Sequence, residues 1–409
     1  MKLSVNYDIA VTHIITRKKQ TLVAALGVTI GVAIFLFMNS LSSGFSSFSR
    51  DTIFQTNAHI KIYKKDEISK PLAENANTQS VILNPQVTTL SKTLINPIKL
   101  LEQIKKEPFV TNAIAQIDFS AFYNRGSTQI KGNGTGVNML EYAAMFNTEK
   151  YMVAGSVQDL QGMLNGVIIG KGIAEKLNLG IGDNITVSSS YNVTKVLRIV
   201  GIFKMGNSMS DDSKCFVNIN TAQQFLKQGK SYVTTLYANT NNPDNTETFV
   251  KNLQTLTEYA VEDWKTTNAD ILSSDRTRST MLTAISFSIL IVAAFGIYNI
   301  LSATISQKIN DIAILKATGF KGIDVIKIFV TEALLMGLIG TVVGLGIGAV
   351  FIQIMSGIYI GGPVGYFPIH FETQLFVKSF LLGLVITLLA GFFPAKKAAG
   401  VDPVEIFRK

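Results

Sequence analysis

"DIAILKATGF", residues 311–320, carries one acid, one base and a closing glycine, and it stands between two long apolar runs. Its placement decides the fold. Lys308, Asp311, Lys316, Lys321, Asp324 and Lys327 crowd into this part of the chain. Near the centre of a bilayer each would cost about 2.5–3.5 kcal/mol. Six such groups outweigh what the few apolar residues among them return. The segment is therefore expected outside the lipid, as a short link between two membrane-crossing helices.

Working outward, Thr21–Ser49, Ser279–Gln307, Ala333–Ile369 and Ser379–Ala395 contain no Asp, Glu, Lys or Arg. A membrane-spanning helix needs about 20 mostly apolar residues. With 47% hydrophobic and only 16% charged residues, the chain reads as an integral membrane protein rather than a string of soluble domains. Arg17, Lys18 and Lys19 before the first block suggest a signal peptide. However, "LVAALGVTIGVAIFLFM" exceeds the usual ~7–15 residue apolar core, and no small-residue cleavage site follows. It reads as an uncleaved first span.

The expected spans are 21–46, 279–305, 324–356 and 373–394. "SGIYIGGPVGYFP" (356–368) is rich in Gly and Pro and reads as a loop. Splitting the third block would give five spans and put Lys396, Lys397, Arg408 and Lys409 outside. Four spans keep every basic cluster on the cytoplasmic side, so four are preferred. Residues 1–20 are then a cytoplasmic amphipathic segment, 306–323 a cytoplasmic link, 357–372 an outer loop and 395–409 a cytoplasmic tail. Residues 47–278 form one large extracytoplasmic insertion. The expected fold is an α-helical membrane protein with four transmembrane helices in a 1+3 order. A large α+β extracytoplasmic domain of two lobes is inserted between helices 1 and 2.

The net charge of +9 does not indicate nucleic acid. Residues 1–20, 305–332 and 395–409 together hold 12 basic against 6 acidic residues, which places much of the excess beside the spans. Cys215, the only cysteine, has no partner for a disulfide or a metal site. His13, His59 and His370 are too scattered to form a metal cluster with one another. No nucleophile–base arrangement or carboxylate pair stands out, so no catalytic residue, cofactor site or metal site is assigned to the chain.

Within the insertion, "NPIKLLEQIKKEP" (96–108) has helical spacing, and "VTNAIAQIDFSAFY" (110–123) reads as β-structure. "GKGIAEKLNLGIGDNITV" (170–187) reads as helix, turn and strand, and "VLRIVGIF" (196–203) as a strand. Asn220 or Thr221 is the expected cap of a short helix through Leu226. "NPDNTETFVKNLQTL" (242–256) is a further helix. Residues 64–95 are polar and without periodicity.

In the link, Ile309, Ile312, Ala313 and Lys316 recur at i, i+3, i+4 and i+7, giving a two-turn amphipathic helix. Its ridge can fit a partner's groove, or it can be an ordinary connector at the headgroups. Asn310 or Asp311 suits its first turn and Lys316 its last. Gly319 can take a left-handed terminal conformation, and Asp324 can cap the following span. In the spans, Gly340, Gly344 and Gly348, with Gly27 and Gly31, are spaced for close helix packing. Glu332, the one charge well inside a span, is expected to snorkel or to bond a neighbouring helix.

"INDIAILKATGFKGIDVIKIFVTEALLMGLIG" (309–340) and "FFPAKKAAGVDPVEIFRK" (392–409) resemble the membrane subunits of the LolC/LolE–MacB–FtsX superfamily of ABC transporter permeases. "GVIIGKGIAEKLNLGIGDNITV" and "LRIVGIFKMGNSMSDDSKCFVNINTAQQFL" are similar to outer-domain motifs of its lipoprotein-releasing branch. The resemblance implies that the link is a coupling helix seated on a separate cytoplasmic ATPase, through Asp311, Ile312, Ala313, Leu315, Lys316 and Gly319. It also implies a second permease copy or related subunit, ATP and Mg bound by the partner ATPase, and residence in a bacterial inner membrane. ATP-driven motion would pass by mechanotransmission into a MacB-like periplasmic domain, and lipoproteins would be released from the outer leaflet. The chain would itself be no enzyme.

Two departures qualify this. "GVIIGKG" (166–172) lacks phosphate-loop spacing, so no nucleotide site is expected. The turn within 187–203 is short, so the hairpin with which LolC catches a lipoprotein chaperone is expected to be absent. MacB-like efflux and FtsX-like activation of a cell-wall hydrolase remain as alternatives.

Overall fold

The computed structural model describes residues 5–66, 92–206, 208–361 and 365–407. It divides into two compact units, one of Met1–Ser49 with Ser273–Lys409, the other of Arg50–Leu272.

Among the described residues, four helices are long and apolar enough to cross a membrane: Lys18–Thr56, Ala269–Gln307, Gly322–Ser356 and Thr373–Ala399. They are called here the first to fourth long helices. The first two have 39 residues each, about 58 Å at 1.5 Å per residue. A hydrocarbon layer of about 30 Å covers only half of that. This is why both helices run past the apolar limits expected at 46 and 279, into polar sequence such as "SRDTIFQT" and "ADILSSDRTR". The 356–368 stretch is not wholly irregular. Tyr359–Gly361 pairs antiparallel with Gly365–Tyr366 as a small ribbon.

The Arg50–Leu272 unit is built on one connected sheet. Its strands are β1 Ile60–Tyr63, β2 Val110–Arg125, β3 Thr128–Val137, β4 Met152–Gly155, β5 Gly166–Gly170, β6 Asn184–Ser189, β7 Thr194–Phe203, β8 Lys214–Asn218, β9 Thr235–Thr240 and β10 Ala260–Asp263. The order is β10-β1-β9-β2-β3-β8-β5-β7-β4, with β6 bridging β2 and β7. Among the described residues, only β3–β8 and β5–β7 are parallel. The first half of β2 pairs with β9, and its second half with β3 and β6.

Three apolar clusters fill the unit. One gathers β1, β9 and β10 with the helices Pro97–Lys105 and Thr246–Leu256. The other two lie along β2, β5, β7 and β8. Glycines explain how β2 and β3 come so close. A Cβ on Gly134 would fall 2.1 Å from the Phe119 ring, and one on Gly132 2.5 Å from the Tyr123 ring. The "GNG" of β3 thus makes room for two buried aromatics. The Tyr123 hydroxyl donates to the carbonyls of Asn133 and Ser213 at 3.1 and 2.9 Å. Cys215 is fully buried here, and burial pushes its thiol up to about 11.

Details of the expected elements shift by a few residues. The helix expected to be capped by Asn220 or Thr221 runs Ile219–Phe225, and Asn218 caps it by accepting the Asn220 N–H at 3.0 Å. Asn218 closes a strand, so its side chain is free to turn back onto the helix start. The hairpin β6–β7 turns within 190–193 and is short. Most of the polar stretch 64–95 falls on 67–91, outside the described residues.

Aromatic packing secures the base of the unit. Phe54 lies edge-on to His59 and Trp264, with ring centroids 4.8 and 4.9 Å apart. Arg50 covers Phe54 and Trp264 and pairs with Asp244 at 2.9 Å. The Asp263 carboxylate caps Trp264–Thr267 through the Thr266 N–H at 2.9 Å. The His59 Nδ1 accepts the Thr240 N–H at 3.0 Å. Burial first, and then the Arg50 charge, hold the His59 imidazole below its usual 6.5.

This predicts a pH dependence. Below about 6.5 the unfolded chain takes up a proton on His59 that the folded chain resists. Stability should therefore fall as pH drops from 7.5 to 5.5. In unfolding titrations of the detergent-solubilised chain, His59→Asn should lose less stability over that interval than wild type.

Candidate functional site

The charged link forms around a break at Lys308, where φ is −104° and ψ 18°. The helix Ile309–Ala317 follows. Gly319 ends it with φ +105°, a conformation that suits glycine. The Phe320 N–H reaches back to the Leu315 carbonyl at 3.1 Å, closing the last turn. The Asp324 side chain then accepts the Lys321 N–H at 3.0 Å and starts the third long helix.

The ridge that the spacing picks out is turned inward. Ile312 and Ala313 are 2% and 0% exposed. Ile312 clusters with Ile305, Val325, Phe329, Ala395 and Ala398. Lys316 is committed too, its ammonium donating to the carbonyls of Ala399 and Val401 at 2.9 and 2.5 Å. The end of the fourth long helix leaves such carbonyls unpaired, and a cation there is favourable.

The structure thus turns Ile312, Ala313 and Lys316 toward the chain's own segments. The chain fills its own groove with them. A period of 3–4 marks a buried ridge without saying what buries it. The closely spaced alanines of "PAKKAAG" were the available signal, since Ala395 and Ala398 are both fully buried. Leu315 is half-buried. Of the six residues, Asp311 and Gly319 remain on the exposed side. With them stands Ile314, which the spacing did not select and which is 51% exposed.

The N-terminal helix Val5–Thr16 supports this region from another side. Its Ala10 is fully buried. His13 Nδ1 lies 3.1 Å from the Glu332 carboxylate, and Glu332 is 3% exposed. The lone intramembrane acid therefore meets a side chain of a neighbouring helix. Arg17 donates to Gln307 at 2.9 Å, next to the break at Lys308.

The candidate packing glycines divide. A Cβ on Gly340 would lie 2.6 Å from the Ala25 carbonyl oxygen, and one on Gly344 2.7 Å from that of Thr29. One on Gly348 would lie 2.9 Å from Leu36. These three glycines seat the third long helix on the first, and Thr29 Oγ1 donates across to the Gly340 carbonyl at 3.1 Å. Gly31 faces Leu290 and Ala293 of the second long helix. At Gly27 a Cβ would meet nothing within 4 Å among the described residues of this chain. One helical turn from Gly31, it lies off the edge of that contact.

The family described as MacB-like periplasmic core domain matches residues 21–256, and that described as FtsX-like permease C-terminal matches 283–403. The chain belongs to the MacB–LolC–FtsX superfamily of ABC transporter permeases. It is 23% identical to an uncharacterised ABC transporter permease of Methanocaldococcus jannaschii, covering 100% of this chain and 98% of that protein. It is 22% identical to the lipoprotein-releasing system transmembrane protein LolC of Xylella fastidiosa, over 95% of this chain and 93% of LolC. It is 25% identical to the pyoverdine export ATP-binding/permease protein PvdT of Pseudomonas syringae, over 94% of this chain. The chain spans only 56% of PvdT. Among solved structures, the periplasmic region of MacB from Actinobacillus actinomycetemcomitans aligns at 13% identity and a TM-score of 0.34, covering 54% of this chain and 94% of that one.

The glycine geometry gives two substitutions of opposite sign. Gly344→Ala should destabilise the detergent-solubilised protein by about 1–3 kcal/mol, as overpacking does. Gly27→Ala, which adds a methyl in open space on a helix, should leave stability unchanged or raise it by up to about 1 kcal/mol. Thermal unfolding of the two variants beside wild type reads both.

Proposed function

We propose that this chain is the permease subunit of an ABC transporter that works with an ATPase on a separate polypeptide, where ATP and Mg are bound. Its four spans stand in a 1+3 order in a bacterial inner membrane, both termini lie in the cytoplasm, and residues 47–278 lie outside. The outer domain has two lobes, one around β1, β9 and β10 and the other around β3, β5, β7 and β8. The long strand β2 is shared between them.

The observation that carries the reading is the exposed face of the link helix. Ile314 is 51% exposed on a segment too charged for lipid, beside exposed Asp311 and Gly319. An apolar side chain framed by charge in that setting suits a protein groove. On this reading Asp311, Ile314 and Gly319 touch the ATPase. Ile312, Ala313 and Lys316 hold the helix in place, so that its movement is carried into the long helices.

The cargo we favour is a lipoprotein or similar amphiphile drawn from the outer leaflet, on the likeness to LolC along nearly the full length of both chains. Export of a small molecule is a second reading, supported equally by the likeness to PvdT. FtsX-like signalling to a cell-wall hydrolase ranks third.

Ile314→Asp should cut co-purification of the ATPase at least tenfold while leaving the yield of folded permease intact. Ile312→Asp should instead lower that yield, because it buries a charge inside the chain. Full ATPase retention by Ile314→Asp would discard the assigned contact face.

A further inference from the structure

A cavity of about 440 Å³ opens on one face of the sheet, where β9, β2, β3 and β8 run side by side. Two opposite charges line it without meeting. Asp118 is exposed but fixed in place. The Gln116 amide donates to its two carboxylate oxygens at 2.9 and 2.8 Å, and the Thr135 hydroxyl to one of them at 3.0 Å. Gln116 and Thr135 are themselves only 7% and 1% exposed, so buried groups aim the carboxylate. A carboxylate has about four acceptor positions, and these bonds leave it able to accept more.

Lys214 is the opposite charge. Its ammonium stands 4.8 Å from the centre of the Phe216 ring and 3.5 Å from the Tyr142 hydroxyl, and it makes no ion pair among the described residues. The Tyr237 hydroxyl, also in the lining, has no hydrogen bond among the described residues. Burial, and then the Asp118 charge, push its phenol above the usual range, so it stays a donor at neutral pH. The register gives the span between the charges. Asp118 lies opposite Thr135, and Thr135 opposite Phe216, over whose ring the ammonium sits. Two strand spacings, ~10 Å, therefore separate them. Charge-assisted hydrogen bonds of about 2.8 Å at each end leave about 4–5 Å for a bridging molecule's own charges. One peptide unit, about 3.8 Å from Cα to Cα, supplies that separation. A single amino acid, with both charges on one carbon, does not.

We propose that this cavity binds a small zwitterion of dipeptide size, its ammonium on Asp118 and its carboxylate on Lys214 and the Tyr237 hydroxyl. Opposite charges held apart select a ligand that has both, because a ligand with one leaves the other site charge unpaired. The volume is in the range of small-molecule sites. Every lining residue belongs to the Arg50–Leu272 unit, so the site stands or falls independently of the transport reading.

The test is calorimetric titration of the full-length, detergent-solubilised chain with glycylglycine and with L-alanyl-L-alanine. At least one of them should saturate a single site per chain. Acetylating its amine or amidating its carboxylate should weaken binding at least about tenfold, since each removes a charge-assisted contact. Glycine, too short to bridge, should bind at least about tenfold more weakly as well. Asp118→Asn should abolish the penalty for acetylation and Lys214→Met the penalty for amidation, a crossed pattern that a general loss of folding does not produce. Saturable binding of neither dipeptide overturns the proposal. So does wild-type affinity in both variants. A dipeptide both acetylated and amidated that binds wild type as well as the free one overturns it too, and that comparison holds even where a variant fails to fold.

Discussion

Apolar side chains gain nothing by leaving lipid for one another, so helices in a membrane must be held by close backbone approach and by polar bonds. In this chain the constraint is met where the third long helix lies on the first. Gly340, Gly344 and Gly348 leave no room for a methyl group, and Thr29 crosses the seam to a backbone carbonyl. Gly383 and Gly391 of the fourth long helix meet Thr341 and Ala333 of the third in the same manner. Three helices are locked by small residues. The second is joined to them over a narrower surface and keeps the broadest open face.

The lock sets what the link can do. Ile312 packs among residues of the second, third and fourth long helices, Ala313 is fully buried, and Lys316 is tied to the last carbonyl of the fourth, that of Ala399, and to that of Val401 beyond it. The link is thus held against the second, third and fourth long helices together. His13 on Glu332, and Arg17 on Gln307, extend the grip to the N-terminal helix. Burying a carboxylate is expensive unless it is bonded, which gives the His13 contact its weight.

Much of this was legible in the sequence. The four apolar blocks, the charged link, the Gly319 stop and the glycine repeat of the third helix depend on local composition and helical period. Those are properties of a segment alone. Burial of Ile312 and Ala313 was not legible, because an amphipathic ridge looks the same whether its own chain or a partner covers it. Gly27 is a related case. Its spacing to Gly31 is that of a packing pair, but the crossing of two helices decides how far along the seam the contact reaches. The His13–Glu332 contact joins residues 319 positions apart, a separation that no window of sequence spans. In the sheet, the strands at 110–123, within 170–187 and at 196–203 were visible in local pattern, whereas the order placing β8 between β3 and β5 is a matter of topology.

The account stands on the link helix and the sheet domain lying on opposite sides of one membrane. Sidedness of thiol labelling in sealed spheroplasts tests it most directly, with Cys placed at Thr318 after the link and at Tyr191 on the β6–β7 turn. The account predicts that an impermeant maleimide added outside labels Tyr191→Cys at once and reaches Thr318→Cys only after lysis. Labelling of both positions from the same side would contradict it.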